Sequence, residues 1–114
     1  MSPEVFAGLR AARDGEVMAD RDVFRSQLGM ALHMQQCTRP DCSVAVHALA
    51  PYASAPSQVH HDALLDVIRY IGSTADLGIT YGRKALAVET YCDANFASCL
   101  DTRRSITGWG VMMY

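Results

Sequence analysis

The sequence has no stretch that approaches the roughly 20 consecutive apolar residues a helix needs to cross a bilayer. Its first residues, Met1-Ser2-Pro3-Glu4, also lack the charged and apolar blocks of a signal peptide. Hydrophobic residues make up 50% of the 114 residues and charged residues 19%, which is typical of a chain that folds around a core. The sequence therefore predicts an intracellular protein, cytoplasmic or nuclear, with no membrane partner.

An excess of positive charge is also lacking, because the formal net charge is -2. Contact with a phosphate backbone would therefore depend on local pairs such as Arg103 and Arg104. An arginine pair in a connecting loop is more often solvated surface than a phosphate site. We expect nucleic-acid binding by this chain alone to be weak.

The four cysteines lack the paired spacing of a zinc knuckle. They are arranged as Cys37-x4-Cys42 and Cys92-x6-Cys99, without a C-x2-C pair, and the additional His47, His60 and His61 do not create one. An intracellular setting disfavours disulfides. The pattern therefore favours buried thiols.

Apolar residues recur at helical spacing through the first two thirds of the chain. The pattern predicts one helix from Val23 to about Gln36 and a second that begins at Thr38-Arg39-Pro40-Asp41, with Thr38 capping its first turn. A third helix is predicted from Ser57 to a stop at Gly72. These three helices would form a small helical layer.

After Gly78 the pattern changes to that of strands, with a short strand at 79–81 and longer ones at 86–96 and 105–114. The loop between the longer strands is too short for a parallel crossover, so they should form an antiparallel hairpin. Period-two alternation places Asp93 on the face opposite Phe96, and we expect the Phe96 face to be buried.

These patterns predict an α+β chain in three parts. Residues 1–21 show no sustained periodicity and should be a loosely ordered lead-in. Residues 22–76 should be the helical segment, and residues 77–114 should carry the first antiparallel strands of an incomplete sheet.

Several short motifs follow one another in a fixed order. They are Phe24-Arg25-Ser26-x-Leu28-Gly29, Thr38-Arg39-Pro40-Asp41, Pro56-x3-His60, Ile68-Arg69-Tyr70-Ile71-Gly72-Ser73-Thr74, Tyr91-Cys92-Asp93-Ala94-Asn95-Phe96-Ala97 and Asp101-Thr102-Arg103-Arg104-Ser105-x-Thr107-Gly108. In this order the chain resembles the Pol polyprotein of copia-like LTR retrotransposons, over roughly residues 18–114. Cys42, Cys92 and the Asn95-Phe96 pair depart from the family's usual residues, which suggests a drifted copy.

The resemblance implies that residues 22–76 belong to the thumb or connection region of the reverse transcriptase. Residues 77–114 would be the N-terminal part of an RNase H-like domain. The whole parent would act on a template-primer in RNA-directed DNA synthesis and would hydrolyse RNA in RNA-DNA hybrids. The polymerase aspartates would lie outside this chain, so the isolated chain is expected to be inactive.

By the same resemblance Asp93 is the first metal-binding aspartate of RNase H. That chemistry uses two divalent metals about 4 Å apart, held by clustered carboxylates. Its partner carboxylates would lie beyond Tyr114, and Asp101 does not match a catalytic position. Asp93 is thus predicted to be a vestigial catalytic residue in an incomplete Mg²⁺ site. Mg²⁺ is expected in the complete parent and no cofactor in this chain alone.

A second class of function stays open beside the enzyme fragment. A small, non-catalytic, transposon-derived interaction module would bind a partner through its helices or its open strand edge. In either class the exposed strand edge of an incomplete sheet predicts self-association of the chain. Polymerase and RNase H motifs in frame on either side would favour the fragment. A transcript that ends at Tyr114 would favour the module.

Overall fold

The computed structural model describes residues 3–82, 87–97 and 99–113. By their internal contacts they divide into two units, Met1–Ile79 and Thr80–Tyr114. The first unit contains the helices α1 (Pro3–Ala7), α2 (Arg21–Cys37), α3 (Ser43–Leu49) and α4 (Gln58–Ser73). The second contains the strands β1 (Val88–Asn95) and β2 (Ile106–Met113). The chain is α+β, as the sequence predicted, although the described residues contain four helices rather than three.

Helix α2 begins where an aspartate can satisfy the unpaired amides of its first turn. The carboxylate of Asp20 accepts hydrogen bonds from the backbone N–H groups of Asp22 and Val23, at 2.9 and 3.1 Å. The helix ends with the N–H of Thr38 donating to the carbonyl of Met34. The prediction that Thr38 caps the following helix was therefore wrong. A short 3-10 turn, Pro40–Cys42, separates the two helices, and its N-cap position is occupied by Arg39.

Helix α4 follows the segment between Pro51 and Pro56, and it begins with Ser57 as its N-cap. The N–H of Ser57 donates to Nδ1 of His60 at 2.9 Å, so a side chain of the first turn satisfies the backbone ahead of it. The helix does not stop at Gly72. It runs to Ser73 because the N–H of Thr74 still reaches the carbonyl of Tyr70, at 3.1 Å.

Apolar side chains from all four helices and the segments between them form the core of the helical unit. Its buried members are Phe6, Leu9, Phe24, Leu28, Ala31, Cys42, Ala45, Val46, Leu49, Ala63, Leu64, Val67 and Ile71. The expectation of a loosely ordered lead-in over residues 1–21 did not anticipate the burial of Phe6 and Leu9. An antiparallel bridge from Met18 to Ser57 also joins this segment to the start of α4.

The strand region forms the predicted antiparallel hairpin, in which Asp93 lies opposite Gly108 and Cys92 opposite Trp109. Residues 79–81 do not form the predicted strand. Most of the predicted turn 82–84 lies outside the described residues. So do the first residue of the predicted strand 86–96 and the last residue of the predicted strand 105–114.

Burial of one hairpin face was the expectation that the structure contradicts most clearly. All eight residues of β1 are exposed, Phe96 is 89% exposed and Trp109 is 81% exposed. A two-stranded ribbon buries a face only where another layer covers it, and the described residues of this unit form two strands without a second layer. The expectation of buried thiols holds for Cys42 alone, because Cys37 and Cys92 are exposed and Cys99 is half-buried.

No helix in the described parts of the chain combines the length and apolar character needed to cross a membrane.

Candidate functional site

Asp93 lies two residues before the C-terminal end of β1, and it is exposed. Its cross-strand neighbour is Gly108, and a Cβ placed on that glycine would meet no atom within 4 Å. The space beside Gly108, across the strand pair from Asp93, is therefore empty of other described atoms. As predicted, Asp93 belongs to a strand and is exposed there. Its role as a metal ligand stays a prediction.

The other carboxylate on the same face of β1 is Glu89, which accepts a hydrogen bond from the hydroxyl of Tyr91 at 2.8 Å. Four residues of strand separate Glu89 from Asp93 by about 13 Å. Two metals about 4 Å apart require carboxylates much closer together. Asp101 lies in the exposed turn between the strands. Residues 3–82, 87–97 and 99–113 contain no group of three His, Cys, Asp or Glu side chains that would hold a metal ion.

The two arginines of the connecting loop, Arg103 and Arg104, are exposed. Arg103 adopts a left-handed backbone with φ of 55°, and its N–H donates to the carbonyl of Cys99 at 2.8 Å. This bond closes the turn that follows β1. The loop thus presents Arg103 and Arg104 to solvent.

The most extensive polar cluster among the described residues lies instead in the helical unit, around Arg39. Its side chain is 4% exposed and pairs with the carboxylate of Asp41, with Nε to Oδ1 at 3.1 Å and Nη2 to Oδ2 at 2.8 Å. Nη1 donates to the carbonyls of Thr74 and Ile71 at 2.9 and 3.4 Å. Nη2 also donates to Oγ1 of Thr74 at 2.7 Å.

These contacts use every N–H group of Arg39, because a guanidinium has five and five hydrogen bonds are formed. No donor is left for a phosphate or another ligand. Arg39 therefore acts as a structural clasp that ties the turn between α2 and α3 to the C-terminal end of α4.

Tyr70 completes this clasp. Its hydroxyl donates to Oδ2 of Asp41 at 2.9 Å, and the guanidinium of Arg39 lies 5.4 Å from the centre of its ring. The Arg39 guanidinium, opposed by partial burial and assisted by the Tyr70 hydroxyl, lowers the pKa of Asp41 to about 2. The bond to Asp41 in turn raises the pKa of Tyr70 above its ordinary value.

Sequence reasoning found the residues of the clasp as two separate motifs but did not join them. Arg39 and Asp41 belong to the Thr-Arg-Pro-Asp motif, whereas Tyr70 and Thr74 belong to the motif at the end of α4. The sequence feature that pointed to a contact is that both motifs place hydrogen-bonding side chains where a helix begins or ends. About 30 residues separate them along the chain, so only the packing of α4 brings them together.

His60 is a second buried polar side chain with a structural role. Its Nδ1 accepts from the N–H of Ser57, which requires the proton of the neutral ring to lie on Nε2. Nε2 then donates to the carbonyl of Arg10 at 2.8 Å. The ring also stacks on Tyr52, with centroids 4.1 Å apart. His60 thus joins the N-terminal segment to α4.

No known family model matches the sequence, and no solved structure matches it. Several curated proteins do. A Secreted RxLR effector protein 161 of Plasmopara viticola is 36% identical over 87 residues, which are 75% of this chain and 61% of that protein. An uncharacterized mitochondrial protein of Arabidopsis thaliana is 37% identical over 73 residues, 63% of this chain and 66% of that protein.

The third comparison is with a far longer protein. The Retrovirus-related Pol polyprotein from transposon RE2 of Arabidopsis thaliana is 34% identical over 100 residues, which are 87% of this chain. These residues are 7% of the polyprotein. The chain thus spans less than two thirds of the two shorter relatives and a small part of the polyprotein.

Proposed function

Because the chain belongs to the Pol polyprotein family of copia-like retrotransposons, we propose that it is a fragment that joins the end of a reverse transcriptase to the start of its RNase H domain. The alignment of 87% of the chain with 7% of the RE2 polyprotein is the observation that carries this proposal. The helical unit corresponds to the thumb or connection region, and the hairpin to the first RNase H strands.

The geometry of the hairpin supports its assignment to RNase H. Asp93 is exposed on β1, on the face opposite the one that was expected to be buried. In the complete parent its carboxylate would hold one of two Mg²⁺ ions, which supply a bound water and stabilise the leaving oxygen during phosphodiester hydrolysis. The described residues provide Asp93 alone and do not fit a complete magnesium site. The isolated chain should therefore be inactive.

The helical unit supports a connecting role rather than a catalytic one. Two of its buried polar side chains, Arg39 and His60, form their hydrogen bonds with the chain's own backbone and side chains. Template-primer or an RNA-DNA hybrid would be partners of the parent, with weak nucleic-acid binding by this chain. Under this proposal the protein is intracellular, cytoplasmic or nuclear.

The nucleotide sequence on either side of the chain is the sharpest test. Polymerase motifs upstream, with further RNase H carboxylates downstream in the same frame, would support the fragment. A transcript that begins at Met1 and ends at Tyr114 would contradict it.

Activity assays of the purified chain are a second test. The chain should neither extend a primer nor cleave an RNA-DNA hybrid with Mg²⁺ or Mn²⁺. Cleavage that Asp93→Asn abolishes would show that the site is complete after all.

The second candidate function is a small, non-catalytic, transposon-derived module. It is favoured by the similarity to the effector protein of Plasmopara viticola, of which the matched residues make up 61%. Such a module would self-associate through the hairpin, whose two strands each have an open edge within the described residues. Sedimentation at micromolar concentration tests this, because a sharply defined monomer would argue against association.

A further inference from the structure

One exposed face of α2 carries four side chains whose donor atoms bind copper: two thioethers, an imidazole and a thiol. They are Met30, His33, Met34 and Cys37. Their spacing of i, i+3, i+4 and i+7 places them side by side along the helix. This face lies opposite the one that buries Phe24, Leu28 and Ala31.

All four side chains are accessible. Met30 is 59% exposed and Met34 is 40% exposed, although methionine usually fills gaps in a core. His33 and Cys37 are exposed as well, and Cys37 is a free thiol. The face is thus open to an ion from solvent without any rearrangement of the helix.

The distance between the sulfur and the imidazole suits a shared metal. Sγ of Cys37 lies 3.9 Å from both Nδ1 and Nε2 of His33. Because the sulfur is equally far from both ring nitrogens, neither nitrogen lone pair points at it, and the imidazole must turn before one nitrogen and the sulfur can share an ion. The χ2 torsion of histidine has broad minima, so rotation of the exposed His33 ring about χ2 directs one nitrogen at the ion.

From this arrangement we propose that α2 binds one Cu(I) ion through the thiolate of Cys37 and the imidazole of His33. A thioether of the same face, from Met30 or Met34, is the third ligand. On binding, the thiol of Cys37 releases its proton to solvent as the Cu–S bond forms, and neutral His33 donates its lone pair. Copper enters and stays as Cu(I), so the step needs no oxidant or reductant.

Cu(I) fits this ligand set better than Zn²⁺. Structural zinc takes four ligands from cysteine, histidine and carboxylates in a tetrahedral arrangement. Within the described residues, no group of three such side chains exists. Thiolate and thioether ligands select Cu(I). The sulfur atoms of Cys37 and of Met30 or Met34 therefore favour Cu(I) over Zn²⁺. The proposal concerns α2 alone and is independent of the assignment of Asp93.

The test is an anaerobic titration of the purified 114-residue chain with Cu(I) in competition with a chromophoric Cu(I) chelator. We expect one Cu(I) per chain, with close to one proton released. Cys37→Ser should weaken binding by at least about a hundredfold and His33→Gln by at least about tenfold. The double variant Met30→Leu with Met34→Leu, which keeps apolar volume and helix propensity, should weaken it about tenfold.

Cys92→Ser is the matched control, because Cys92 is also an exposed thiol but lies on the hairpin. It should leave binding unchanged, and circular dichroism should show equal helix content in all variants. Equal affinities of Cys37→Ser and the unmodified chain would overturn the proposal, as would binding lost in Cys92→Ser. An unaffected methionine double variant would refute the thioether ligand. Zn²⁺ held as tightly as Cu(I) would refute the choice of metal.

Discussion

The helical unit and the hairpin differ in what holds each of them together. Among the described residues of the helical unit, thirteen hydrophobic residues are buried, and polar groups such as Arg39 and His60 are also buried with hydrogen-bonding partners. In the hairpin, the antiparallel ladder is formed but both faces are exposed. Backbone pairing specifies a strand register, but burial of apolar side chains supplies most of the free energy of folding. The comparison predicts that the two units respond very differently to the same kind of substitution.

The largest difference should come from removing one aromatic ring from each unit. Phe24 is fully buried, so Phe24→Ala should lower the free energy of unfolding of the helical unit by about 3–5 kcal/mol. Trp109→Ala should change that free energy by less than about 0.5 kcal/mol, since the indole is 81% exposed. Urea unfolding followed by helical circular dichroism measures both. Comparable losses would mean that Trp109 packs against a partner surface.

The next effect should come from the clasp around Arg39. Arg39→Ala leaves Asp41 without its guanidinium and two carbonyls near the end of α4 without a donor, at a cost of about 2–3 kcal/mol. Arg69→Ala is the matched control, because Arg69 forms an exposed ion pair with Asp66 at 2.9 Å. It should cost less than about 0.5 kcal/mol. Equal urea midpoints for the two variants would refute the clasp.

Part of this comparison follows from sequence alone. The core positions Phe24, Leu28 and Ala31 recur at helical spacing, so α2 was predicted to within two residues at its start and one at its end. The hairpin followed from the short loop between two β-type segments. Both inferences are local, because they need only the order of residues along one element.

The failures share a different property, since each depends on what lies across from a residue in space. The Phe96 face was expected to be buried because its pattern is apolar, yet burial also needs a covering layer. The Arg39–Tyr70 contact joins two motifs that nothing in either sequence pattern relates. Thr38 has the side chain of an N-cap, but it is the C-cap of α2, and the N-cap position of the following turn belongs to Arg39.

Acid should weaken the helical unit through the same clasp, by a smaller amount. The pKa of Asp41 is lowered from 3.8 to about 2, chiefly by Arg39. A carboxyl with a lowered folded-state pKa stabilises the fold above its unfolded-state value and loses that effect as the pH falls through its folded value. The stabilisation by the Asp41 carboxylate is therefore lost between pH 4 and 2. Asp41 is 37% exposed, and solvent screening reduces the effect to less than about 1 kcal/mol.

The measurement is urea unfolding of the chain and of Asp41→Asn between pH 5 and 2. Asp41→Asn should be less stable at pH 5, and the difference between the two should shrink toward pH 2, because the variant has no carboxyl to protonate. Glu16 also contributes to acid sensitivity, since the bond from Arg10 lowers its pKa, but it does so equally in both proteins. A constant difference across the pH range would exclude the Asp41 carboxyl as the titrating group.

The smallest expected effect is that of Asp93→Asn, and it separates a vestigial ligand from a structural one. Asp93 is exposed on β1 opposite a glycine, so the substitution should change the free energy of unfolding by less than about 0.5 kcal/mol. Addition of millimolar Mg²⁺ should stabilise neither protein, because a lone carboxylate is a poor magnesium site and Glu89 lies about 13 Å along the strand. Thermal unfolding with and without Mg²⁺ measures this. A rise in melting temperature that Asp93→Asn removes would mean that Asp93 meets other carboxylates, either within one chain or between associated hairpins.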